Sequence, residues 1–112
     1  MSHKDCNTKI RVGRRVVGEV RGDVFHKSVY ASKHFLREPR AIANDITVLQ
    51  DAEQAGAVWV HIRDKESGQI YKATIAHIRE SGFPINRGWG KQIALPMNGW
   101  IKSGQAIQGR LF

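Results

Sequence analysis

Phe83, Trp89 and Trp100 lie in a stretch where Arg87, Lys91 and Lys102 alternate with Gly82, Gly88, Gly90 and Gly99. At its centre stands Asn86-Arg87-Gly88-Trp89-Gly90-Lys91. Glycine on both sides of a tryptophan lets the backbone present a flat ring with no bulky neighbour. A nucleic-acid base can stack on such a ring while Arg and Lys meet phosphates, at about 1–3 kcal/mol per stacked base. The competing use of Trp89 is a cap on the core, its indole N–H bonded to a carbonyl.

A second basic group comprises Arg11, Arg14, Arg15, Arg21, Lys27, Lys33, Arg37 and Arg40. Arg15 and Arg21, six apart, share one face of a strand unless Gly18 marks a bulge. Arg37-Glu38-Pro39-Arg40 reads as the entry to a helix. Cations there oppose the helix dipole, and a bound phosphate would compensate them.

Other chemistries find little support. The single cysteine, Cys6, can close no internal disulfide and cannot supply a Cys-rich zinc site. The histidines His26, His34, His61 and His77 spell no H-x-x-x-H or H-E-x-x-H pattern, so no metal is expected. A nuclease needs clustered carboxylates to hold divalent cations. Asp64-Lys65-Glu66 reads more simply as a charged hairpin tip, and Asp23, Asp64 and Glu66 need not meet. Gly13, Gly18 and Gly22 precede no Gly-Lys-Ser/Thr, and Ser28, Ser32 and Ser67 lack a nucleophile-elbow context. The residues therefore favour a binding protein over an enzyme, with no cofactor.

Composition agrees. The chain of 112 residues carries a net charge of +8, with 41% hydrophobic and 25% charged residues, proportions of a folded domain. The charge is uneven: +6 over residues 1–40, −3 over 41–66 and +5 over 67–112. Such a balance suits polyanionic partners. The polar start and the short apolar runs, of which Ala55 to Val60 is the longest, suggest a cytoplasmic protein with no membrane association.

The elements that must position these groups follow from periodicity. Residues 1–9 read as a flexible polar arm and 10–112 as a single α+β domain. The valines of residues 10–30 suggest strands at about 14–20 and 23–30, turning at Val20-Arg21-Gly22-Asp23. Pro39 to Ala55 is the one strong helix candidate, with Ile42, Ile46 and Leu49 on its buried stripe, Asp45, Asp51 and Glu53 outward and Gly56 as its stop. The β-branched run Ile46-Thr47-Val48 conflicts with it. Residues 57–63 alternate Val58, Val60 and Ile62 against Trp59, His61 and Arg63, the pattern of a half-buried strand. Asp64 to Gly68 reads as a hairpin loop, Gln69 to Ile78 as the returning strand and Lys91 to Leu95 as the last strand. Residues 97–108 hold a weak helix or none. The expected order is β-β-α-β-β-β, a largely antiparallel sheet of about five strands with one main helix.

Lys91, Ile93, Leu95 and Trp100, in the ten residues from Lys91 to Trp100, resemble the closing strand and helix start of transcription-coactivator-type single-stranded DNA-binding domains. The resemblance implies a strand running into a helix and adds to the nucleic-acid reading. Where that family continues its helix, this chain has Gly99 and Gly104.

The sequence thus points to a non-catalytic DNA- or RNA-binding or accessory protein that prefers single strands. The expected contacts are Arg14, Arg15, Arg21, Lys27, Arg37, Arg40, Arg87, Trp89 and Lys91, because basic groups neutralise phosphates and aromatics reach only unstacked bases. The alternative is a protein-interaction module or homo-oligomer that associates through sheet edges, without nucleic acid.

Overall fold

A computed structural model describes residues 7–38, 40–87 (backbone only at 87) and 90–103. Among these described residues, alternating apolar residues and tight glycine turns give ten strands and three α-helices. In chain order these are β1 (Thr8–Val12), β2 (Arg15–Arg21), β3 (Val24–Val29), α1 (Ala31–His34), β4 (Phe35–Arg37) and β5 (Arg40–Asp45). There follow α2 (Ile46–Gln54), β6 (Trp59–Asp64), β7 (Ile70–Thr74), α3 (Ile75–Ser81), β8 (Phe83–Arg87) and β9 (Gly90–Pro96). A single 3-10 turn (Met97–Gly99) leads into β10 (Ile101–Ser103). The class is α+β, as expected, with more strands than the sequence suggested.

The strands form two sheets, β1-β2-β3-β6-β7-β10 and β4-β5-β9-β8. All pairs are antiparallel except β3 with β6, which run parallel because the chain crosses through α1, β4, β5 and α2 between them. The β2–β3 hairpin matches the expected one, with Gly22 in the left-handed region at φ 62°. The β6–β7 hairpin also matches, Arg63 opposite Ile70 and Gly68 at φ 80°. Val58, expected inward with Val60 and Ile62, precedes β6 and is exposed.

One face of the larger sheet meets the core. Val20, Phe25, Val60 and Ala73 form a buried row across β2, β3, β6 and β7. They pack with Val48, Leu49 and Ala52 of α2, Ile75 and Ile78 of α3, and Ile42 and Leu95 of the smaller sheet. Trp100 is buried as well, its Nε1–H donating to the Leu95 carbonyl at 3.0 Å. Trp100 thus makes the indole-to-carbonyl bond of a core tryptophan.

Three expected elements differ. The helix proposed from Pro39 is a strand up to Asp45 and a helix only from Ile46. Arg40–Asp45 lies between β4 and β9, and the Asp45 carboxylate accepts the Thr47 N–H at 2.9 Å, so a cap stands where mid-helix was expected. Arg40 is therefore opposite Arg37 in a hairpin rather than in a helical first turn. The strand expected through Ile78 ends at Thr74, whose hydroxyl accepts the His77 N–H at 3.1 Å and opens α3. Phe83–Arg87, to which the sequence assigned no element, is β8, paired with β9. The described residues after Pro96 hold only the 3-10 turn before β10: Trp100 follows that turn and leads into β10, which pairs with β7. The helix start implied by the resemblance is thereby corrected.

Candidate nucleic-acid interface

The alternation that buries one face of the larger sheet turns a different set of side chains outward. Glu19, His26, His61 and Lys72 stand side by side across four strands, and Lys9 and Ile101 extend the row to both edges. Arg21, Val24, Trp59 and Thr74 form the row on one side, and Ser28, Arg63, Ile70 and Ser103 the row on the other. Among the described residues no helix lies on this face, since α2 and α3 contribute to the core on the opposite side and Lys33 and His34 of α1 line the cleft between the sheets.

Three aromatic rings are contiguous here. Trp59 and His61 lie on β6 with ring centroids 6.5 Å apart, and His26 on the parallel neighbour β3 is 5.2 Å from His61, edge to face. Parallel pairing in register is what joins His26 to His61. All three are half-buried by their neighbours, which fixes their orientation.

Burial and neighbouring cations keep both imidazoles uncharged near neutral pH. The His26 pKa is lowered by burial and by Arg21, with Glu19 opposing. The His61 pKa is lowered by burial, then by Lys72 and His26, with Asp23 opposing. Arg21, Arg63, Lys72 and Lys9 supply cations around the rings; Glu19, 4.0 Å from Arg21, is the acid within the central row. This arrangement can hold planar, unpaired bases on its rings and phosphates at its rim.

The expected contact residues separate into groups. Arg21 belongs to this face. Arg15 does not, because the β1–β2 register shifts between Ile10 and Arg11, leaving Val17 as an extra residue that reverses the alternation. Arg15 and Lys27 instead line a cleft between the two sheets. Arg14 is exposed in the β1–β2 turn, and Arg37 and Arg40 are exposed at the β4–β5 hairpin. Lys91 is exposed on β9, and Arg87 pairs through its backbone with Gly90. Trp89 lies outside the described residues. Trp59, His61 and His26 were absent from the expected set. The alternation of Trp59, His61 and Arg63 was the available signal, but His26 joins them only through a pairing between distant strands.

Asp64, weighed as a hairpin-tip charge, turns inward. Its carboxylate accepts from Ser67 Oγ at 2.8 Å, the Glu66 N–H at 3.0 Å and the Ala31 N–H at 3.3 Å. Burial pushes its pKa up, and these hydrogen bonds outweigh burial and hold it below the ordinary value. Among the described residues no group of three or more His, Cys, Asp or Glu side chains could hold a metal ion. No described helix is long and apolar enough to cross a membrane. No protein-family model matches the chain, and neither a curated protein nor a solved structure matches it.

Proposed function

We propose that this protein binds single-stranded nucleic acid, without catalysis, on the open face of its six-stranded sheet. The observation that carries this reading is the contiguous line of Trp59, His61 and His26 on a sheet face rimmed by Arg21, Arg63, Lys72 and Lys9. A duplex hides its base faces, so ring stacking favours unpaired strands. The net charge of +8 adds a long-range attraction for any polyanion. At the open edge of the same sheet, β1 carries exposed Lys9 and Arg11, charges that discourage strand addition by another chain. Self-association through that edge is therefore the weaker reading.

Fluorescence anisotropy of a labelled 12-nucleotide DNA or RNA, repeated across salt concentrations, tests the proposal. Contacts to three or four phosphates give a log–log salt slope of about −2 to −3 for single strands. Trp59→Ala should weaken binding by about 5- to 150-fold, the loss of one stacked base. Absence of binding at low salt to both DNA and RNA rejects the proposal.

A further inference from the structure

We propose that the cleft between the two sheets is a separate site for a small phosphorylated molecule, whose phosphate sits at Lys27 among Arg15, Lys33 and Lys65. The cleft has a volume of about 620 Å³, enough for a nucleotide-sized ligand. It opens where two strands part: β2 and β3 pair only over Glu19–Arg21 and Val24–His26, so Lys27 to Val29 have no β2 neighbour. The extra residue Val17 bends β2 away at that point.

Lys27 stands in the core-facing row, next to Ile62 on β6. A cation in that row is costly without a counterion. Among the described residues no carboxylate oxygen lies within 4.0 Å of its ammonium. The acid that lines the cleft, Asp45, already accepts the Thr47 N–H as the cap of α2. Four basic side chains thus line the cleft together with one carboxylate. Loss of solvation lowers the Lys27 pKa and the Asp45 field opposes it, with the net result a pKa of about 8. The same cations reach His34 at the rim: its pKa is lowered by lost solvation first and then by Lys27, with smaller contributions from Arg15 and Lys33.

The rim is built rather than loose. Lys65 N–H donates to the Val29 carbonyl at 2.8 Å, and the Asp64 carboxylate holds the Ala31 N–H. These bonds set Tyr30 between two ammonium groups, Lys65 at 5.1 Å and Lys33 at 5.9 Å from its ring centroid. A phosphate fits this set better than a carboxylate does. It carries more charge and more acceptor oxygens, and several ammonium donors approach it from different directions. The apolar wall formed by Val17, Val29 and Val48 suits the carbon skeleton of a small ligand.

Isothermal titration of the full chain with inorganic pyrophosphate, against acetate at equal ionic strength, tests this site. Pyrophosphate should bind one per chain, at least tenfold more tightly than acetate. Lys27→Met should weaken it tenfold or more, and the exposed Lys65→Gln severalfold, with folding of both checked by circular dichroism. Lys27→Met should leave oligonucleotide affinity on the open sheet face unchanged, which separates this site from the nucleic-acid reading. Pyrophosphate binding that is no tighter than acetate binding, or unchanged in both variants, overturns the proposal.

Discussion

Lys27 shows at the scale of one residue how a strand's alternation can place a charge where the core would prefer a hydrocarbon. It occupies the row that elsewhere holds Ile62, and it is tolerated because β2 has separated from β3 there. Its pKa of about 8 lies below the ordinary 10.5, so the folded state binds fewer protons than the unfolded chain between those values. Stability therefore rises with pH from about 8 to 10.5, and below 8 the penalty is present in full. Lys27→Met removes it. After solvent screening at the cleft mouth, the variant should be more stable at pH 7 by about 1–3 kcal/mol. Urea unfolding at pH 7 and pH 10 checks this: the two proteins converge at the higher pH, whereas a constant gap assigns the effect to packing. Lysine at position 27 was legible as basic and on a strand, and Gly18 marked where a bulge could fall, but its depth was not legible, because it depends on where β2 parts from β3.

At the scale of elements, local chemistry decided most boundaries. Gly22 and Gly68 closed the hairpins where the sequence placed turns, and Val60 and Ile62 were buried as their alternation required. Two of the errors share one cause. Asp45 and Thr74 each end a strand and cap a helix in a single residue, and an apolar spacing that spans such a junction satisfies the helical and the extended period at once. Ile42, Ile46 and Leu49 keep helical spacing even though Ile42 belongs to β5 and Leu49 to α2. Pairing of α2 with α3 adds the Arg79–Glu53 ion pair at 2.6 Å, a long-range contact between segments read separately. Gly18 offers an element-level test. A Cβ at this position would meet the Phe25 ring and come to 2.7 Å from the His26 carbonyl oxygen. Gly18→Ala should cost about 1–3 kcal/mol, because either the ring or the β3 backbone must move. Thermal unfolding measures it, and an unchanged midpoint would mean that β2 is not held against Phe25 as described.

For the whole molecule, the excess positive charge reads differently once folded. Among the described residues the basic side chains divide among several surfaces. Arg21 and Lys72 flank the aromatic line, Arg15 and Lys27 enter the cleft, and Arg37 and Arg40 sit on the smaller sheet. The aromatic line itself depends on the parallel β3–β6 pairing, made across the long crossover between Val29 and Trp59. No local pattern encodes a pairing of that sequence separation, so the face was invisible although each of its residues had been seen. Nuclear magnetic resonance titration of the ¹⁵N-labelled protein with a short single-stranded oligonucleotide tests the central claim most directly. Shifts should concentrate at Trp59, His61, His26, Arg63 and Lys72, with the Trp59 indole N–H among the strongest. Shifts confined to Lys27, Tyr30 and Lys65, or the absence of any at saturating oligonucleotide, would contradict it.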